Sequence, residues 1–115
     1  MIYKAKQGDI IWLDFDPQTG HETAKRRPAL VVSNDTFNDM EKYTAMVCPI
    51  TNTDRGSSIQ PRLDNRTKTR GFIMCNQARI LDLQARNPVL IEKAPEDTVF
   101  EAVDLITGFL EMETD

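Results

Sequence analysis

Cysteine and histidine are scarce in this chain of 115 residues, with two of the first and one of the second. Cys48, Cys75 and His21 match no zinc spacing, so a zinc site of the usual kind is excluded and no metal is expected. Glycine is sparse as well, at five residues. None of them forms a run able to cradle a nucleotide phosphate, which leaves nucleotide hydrolysis without support and no cofactor expected. No GxSxG elbow or Cys–His signature accompanies His21, so no nucleophilic triad is visible. No apolar run approaches the length of a membrane span, and the N-terminus lacks the basic-then-apolar layout of a secretory signal. The expectation is a bacterial-type cytoplasmic setting away from membranes, with both cysteines buried as reduced thiols in their apolar runs.

What remains is the composition of an ordinary globular chain, 40% hydrophobic and 28% charged. The length supports one hydrophobic core and not two, so residues 1–115 are read as a single domain. A formal net charge of −4 argues against a nucleic-acid ligand until its distribution is read. Residues before 92 carry 13 Lys and Arg against 10 Asp and Glu, whereas residues from 92 onward carry 1 against 8. Acidity is confined to the last segment, and a basic surface elsewhere stays open. Charge alone would grip nucleic acid weakly, because non-specific affinity scales with the phosphates neutralised. Recognition would rest on a few placed residues.

The chain centres on residues 8–33, GDIIWLDFDPQTGHETAKRRPALVVS. Ile11, Leu13 and Phe15 alternate with Trp12, Asp14 and Asp16, the period-two pattern of a two-faced strand. Ala29 to Val32 is a short run rich in β-branched residues, as a buried strand requires. Asp16 to Arg27 between them is far longer than a tight hairpin and holds His21, Glu22, Lys25, Arg26 and Arg27. Pro28 forces Arg27 into extended backbone, which would fix a guanidinium where the loop meets the core strand. Such a group can hold a phosphate; the same residues also suit an ordinary solvated hairpin tip.

Further along, Asn34-Asp35 offers a cap for one or two helical turns over Thr36 to Lys42. Tyr43 to Ile50 reads as a third strand, with Pro49 near its end. Residues 51–70 are polar and irregular, with Arg55, Arg62, Arg66, Lys68 and Arg70 against Asp54 and Asp64. They are either a solvated connection around a short strand near Ile59 to Leu63 or a second wall of a phosphate-lined groove. Gly71 to Cys75 reads as a buried strand and Pro88 to Ile91 as a last short strand. The last element is a helix in which Pro95 suits the first position and Glu96 and Asp97 complement the positive end. Val99, Val103, Ile106 and Leu110 form one stripe and Ala102, Leu105, Phe109 and Met112 a second, a face wide enough to cover a core and meet another subunit. Many short strands and one terminal amphipathic helix indicate a small, mainly β, mostly antiparallel barrel.

Three stretches in order, GDIxxxxFxPxxGHExxxxxRPALVxS, CPIT and GFIMCNQARILDLQAR, resemble the MazF/PemK family of bacterial toxin–antitoxin endoribonucleases, the last especially its Kid branch. The resemblance runs from Gly8 to about Leu110 and weakens over 52–70 and in the acidic helix. It implies an SH3-like antiparallel β-barrel of the CcdB/PemK type with a C-terminal amphipathic helix. It further implies a homodimer, single-stranded RNA as substrate and an acidic MazE-like antitoxin as partner. Cleavage would need no metal, since RNA brings its own nucleophile in the 2′-OH and would leave 2′,3′-cyclic phosphate and 5′-OH ends.

By that resemblance Arg27 and Thr51 match the catalytic arginine and threonine, and Glu22 a substrate-contacting acid placed to act as base. His21 stands where some relatives have a catalytic role and others have serine. Gln77 and Arg79 match RNA-binding positions, to which Asn76, Arg70 and Lys25 are added as RNA-binding candidates. The chain departs from the Kid branch at Met74 and Asn76, where that branch carries its catalytic arginine and aspartate. Its chemistry should therefore follow the Arg27/Thr51 arrangement. A gyrase-binding toxin like CcdB is the alternative. Toxins of that kind depend on a tryptophan near the C-terminus, whereas this chain ends GFLEMETD and has only Trp12.

Overall fold

A computed structural model describes residues 2–15 and 26–114. The loop candidates His21, Glu22 and Lys25 lie outside the described residues. Six strands form one antiparallel sheet: β1 (Asp9–Asp14), β2 (Arg26–Val31), β3 (Thr44–Thr51), β4 (Phe72–Ile73), β5 (Arg79–Asp82) and β6 (Val89–Lys93). Two α-helices, α1 (Asp35–Met40) and α2 (Glu96–Phe109), and two 3-10 turns, Cys75–Gln77 and Gln84–Arg86, complete the described elements. The spatial order is β4-β3-β2-β1-β6, with β5 pairing the other half of β3. The result is the expected barrel-like sheet with a C-terminal helix, its hydrogen-bonded path ending at β4 on one side and β6 on the other.

Both faces of the central strands are buried. Ile10, Leu30 and Cys48 stand in register across β1, β2 and β3 and join Ile50, Ile73 and Cys75 beneath Ala102 of α2. Their neighbours Ile11, Ala29, Val31 and Val47 face the other way and pack with Leu13, Phe15 and Leu83 under Tyr3 and Leu81. Side chains alternate along a strand, so burial on both sides turns the polar–apolar alternation expected of β1 into a nearly continuous apolar strand. Only Trp12, at 40% exposure, leaves it clearly open.

Several boundaries move. The strand expected at Gly71 to Cys75 shrinks to Phe72–Ile73, because Cys75–Gln77 turns into a 3-10 helix. The strand expected near Ile59 to Leu63 is a single bridge, Arg62 to Phe72. Pro95 is the extended N-cap of α2 and not its first helical residue. Pro49 is buried inside β3, opposite Ala29, and its carbonyl accepts from the Met74 amide at 2.9 Å. Its missing N–H falls at one ladder position only. The pairing of Ile50 with Ile73 carries on to set Cys48 opposite Cys75. Both thiols are buried. Their mutual hydrogen bond, with burial, pushes the Cys48 thiol far up.

One end of β1 is sealed by a buried carboxylate. Asp9, 1% exposed, accepts from the Tyr3 hydroxyl and the Lys6 amide, and its other oxygen lies 2.6 Å from Lys93 Nζ. Burial, and then the bond to Asp9, push the Tyr3 phenol well up. The seam between β4 and β6 is bridged by a side chain. Glu92 on β6 accepts from the amides of Lys68 and Thr69 at 3.0 and 2.8 Å and from the Thr69 hydroxyl at 2.8 Å.

Candidate active site

Arg27 is not at the end of a loop but second in β2, opposite Leu13, because the β1–β2 ladder already begins at the Asp14–Arg26 pair. Pro28 is accommodated opposite Trp12, and the extended backbone it imposes on Arg27 is strand backbone. The β2–β3 ladder ends at the Ala29–Pro49 pair, two residues short of Arg27 on one strand and of Thr51 on the other, and beyond it the two residues matched to the catalytic pair border one cleft.

The two adjacent arginines are held differently. Arg26 donates to the Asp14 carboxylate at 2.9 Å and to the Asn87 carbonyl at 2.9 Å. Asn87 in turn donates to the other Asp14 oxygen at 2.8 Å. These bonds, from Asn87 first and then Arg26, hold the Asp14 carboxyl below its ordinary range. Arg86 ties the same corner by donating to the carbonyls of Asp14 and Phe15. Arg26 thus pins the end of β1 to the start of β2. Among the described residues no group accepts a hydrogen bond from the guanidinium of Arg27, a half-buried residue.

Arg27 and Thr51 open into a cleft of about 710 Å³ at the barrel mouth. Its wall is drawn from every side of the seam: Trp12 from β1, Pro28 from β2, Asn52 and Thr53 after β3, Lys68 to Arg70 before β4, and Ile91 from β6. Four cations line it, Arg26, Arg27, Lys68 and Arg70, and no described carboxylate does. With Arg26 neutralised by Asp14, three positive charges face the hollow. A concave site of one sign focuses its potential on an anion. Thr51 Oγ accepts from the Thr53 amide at 3.2 Å, so its own proton remains to be donated to a ligand.

The polar stretch 51–70 is therefore a wall and not only a connection, since Lys68, Thr69 and Arg70 face the cleft. Burial would raise the Glu92 carboxyl, but the bonds from Lys68 and Thr69 overcome that and lower it. The wall is thus hung on an ionised carboxylate. Arg70 lines the same cleft as Arg27 and Thr51. Asn76 and Gln77 are exposed on the 3-10 turn and Arg79 lies on β5 opposite Val47, so none of the three lines the cleft. Val47 is four residues from Thr51 along β3, roughly 13 Å at 3.3 Å per residue. The Arg79 guanidinium instead lies 5.2 Å from the centroid of the Phe15 ring. Lys68 is one of the cations of the possible groove wall read from the sequence, whereas Trp12 and Thr69 are not anticipated there. Trp12 shows as the outward residue of an alternating strand, but only the register against Pro28 and Val89 puts it at the mouth.

A family model described as PemK-like, MazF-like toxin of type II toxin–antitoxin system matches residues 6–109. The chain is 36% identical over 111 residues to the endoribonuclease toxin ChpB of Escherichia coli strain K12, covering 90% of this chain and 93% of that one. It is 30% identical over 109 residues to the endoribonuclease PemK of Escherichia coli, covering 91% and 81% respectively. Among solved structures, a MazE–MazF crystal structure from Deinococcus radiodurans superposes with a TM-score of 0.87 at 30% identity, over 97% of this chain and 100% of that one.

Proposed function

We infer the chemistry of the cleft from one premise: the chain belongs to the family of PemK-like, MazF-like toxins of type II toxin–antitoxin systems. It is an endoribonuclease toxin, as its relatives PemK, ChpB and MazF are. Its finer action is cleavage of single-stranded RNA at a short recurrent motif, without a metal, leaving a 2′,3′-cyclic phosphate and a 5′-hydroxyl. The observation that carries this reading is the cleft itself. Arg27 and Thr51 line one hollow together with three further cations and no described carboxylate.

In the proposed reaction the 2′-oxygen attacks phosphorus, its proton passes to a base, the bond from phosphorus to the 5′-oxygen breaks, and that oxygen takes a proton. Arg27 forks onto the phosphate oxygens as negative charge builds, and the Thr51 hydroxyl donates a further bond. Glu22 is assigned as the base. His21, an imidazole and so a group able both to give and to take a proton, is assigned as the group returning a proton to the leaving oxygen. Both rest on their match to family positions. Lys25, Lys68 and Arg70 hold flanking phosphates.

The partner is an antitoxin whose acidic, disordered segment folds across the basic mouth and occludes Arg27 by charge complementarity. The working unit is a homodimer of single-domain chains acting in the cytoplasm. No helix among the described residues is long and apolar enough to cross a membrane.

The test is to incubate the protein with a long unstructured RNA, with and without EDTA, and map the new ends by primer extension. Cuts at one recurrent motif, unchanged by EDTA and lost in Arg27→Ala, are expected. RNA left whole at every protein concentration would remove the assignment.

A further inference from the structure

We propose that the hollow beside the cleft is a base-binding subsite, where a nucleobase flanking the scissile phosphate stacks on the Arg62–Phe72 pair. This rests on the ribonuclease reading above and goes beyond it by naming the residues that read sequence.

The geometry is a row across the sheet. Arg27 and Thr51 line the same cleft, Thr51 pairs with Phe72 across β3 and β4, and Phe72 bridges to Arg62. Directly opposed residues share a face, so the row leads from the threonine of the cleft to an aromatic ring on the next strand. The Arg62 guanidinium lies 5.9 Å from the centroid of that ring. It is a cation–aromatic pair, and a guanidinium plane beside an aromatic ring is the kind of surface on which single-stranded bases stack.

The hollow has about 520 Å³ and is continuous with the cleft, because Asn52 and Arg70 line both. Asn65 in its lining offers an amide able to meet the Watson–Crick edge of a base lying on the pair, whereas the Asp64 carboxylate beside it is held by Arg66. Arg70, shared between the hollows, is placed to hold the phosphate linking the two nucleotides. Gly71 makes this junction possible. Its φ of +125° suits no L side chain, and a Cβ there would lie 2.4 Å from the Thr51 carbonyl oxygen.

The hollow is held in shape rather than draped. The Leu63 amide donates to Gly71 and the Ile73 amide to Pro61, at 2.9 and 2.8 Å. Arg66 clamps Asp64 to Asp97 of α2. A preformed surface spends no binding energy on ordering itself.

The test uses the full chain and an RNA pool randomised on both sides of the mapped cut. The wild type should prefer particular bases at one flanking position. Arg62→Ala should flatten that preference and raise KM at favoured sites by roughly tenfold, the scale of one lost base stack, with kcat little changed. Arg62→Lys, which keeps the charge and loses the plane, should resemble Ala. An abasic nucleotide at that position should slow the wild type and leave Arg62→Ala indifferent. An unchanged profile in both variants would overturn the subsite, and full rescue by Lys would reduce Arg62 to a plain phosphate contact. A wild type that cuts no RNA removes the ribonuclease reading instead, and the subsite with it. Arg62 is exposed, so thermal melting of both variants should match the wild type.

Discussion

The two ends of β1 carry polar clusters of opposite character. At the Asp9 end one buried carboxylate meets a phenol, an amide and an ammonium, so every strong group has a partner inside the protein. At the mouth, three cations beyond the Asp14–Arg26 pair share a hollow with no described carboxylate. A balanced cluster lowers the energy of the fold; an unbalanced one stores attraction for something absent. The difference separates structural charge from functional charge without reference to conservation.

The sharpest way to break the comparison is to mutate one group at each end. Asp9→Ala leaves the Tyr3 hydroxyl and the Lys6 amide without their acceptor, while Lys93, largely exposed, stays solvated. Leaving a buried donor unsatisfied costs about 1–3 kcal/mol, and Tm should fall by roughly 4 °C or more. Cleavage per folded molecule should hold. Arg27→Ala should do the reverse. Melting should match the wild type, while kcat falls by about 10²–10³, the usual loss on removing one group aimed at developing charge. Equal stability losses at both ends, read by calorimetry, would show that the mouth is structural too.

A milder change sharpens the comparison inside the mouth, since Glu92 belongs to both kinds of charge: it is paired, yet it positions the wall. Glu92→Ala should free Lys68 to Arg70, raise KM about tenfold (~1.5 kcal/mol, the scale of one charge-assisted hydrogen bond), and expose those residues to trypsin. Its pH dependence has a definite sign. The folded carboxyl titrates below its unfolded value of about 4.3, so the anchorage is complete above that pH. It is lost as pH falls through the lower folded value. Trypsin-like susceptibility of the wall, probed with an acid-tolerant protease, should therefore rise only below about pH 4.3.

How much of this was legible beforehand depended on whether a feature is local. The β1, β2 and β3 strands and the α2 stripes follow from periodicity within a few residues, and Ala102, Val99, Val103 and Ile106 do pack on the core. The same stripes end in Phe109, Leu110 and Met112, which are exposed: α2 stops at Phe109, so Leu110 and Met112 fall outside the helix that was to carry them. Register is not local. Nothing in CPIT or RRPAL shows that Arg27 and Thr51 share a cleft, that Cys48 meets Cys75, or that Trp12 reaches the mouth; each needs two strands aligned. The hydrophobic pattern could not choose between Arg26 and Arg27 either. The family resemblance selected Arg27, and the pairing of Asp14 with Arg26 supplies the physical reason.

That choice gives the smallest predicted effect and the closest control. Arg26 also lines the cleft, one residue away from Arg27 and with the same charge. If charge in the mouth were all that mattered, Arg26→Ala and Arg27→Ala would be equally damaging. Arg26, however, is already paired with Asp14 and Asn87, and its guanidinium is partly exposed. Losing a partly exposed ion pair costs about 0.2–1 kcal/mol, mostly as a looser junction between β1 and β2. Cleavage should fall less than about fivefold, because by RT ln 5 a disturbance of that size shifts an equilibrium no further. The measurement is a side-by-side single-turnover assay of the two variants on one RNA. A loss in Arg26→Ala matching that in Arg27→Ala would mean that the pair acts as one charged unit, and that satisfaction by Asp14 does not silence an arginine here.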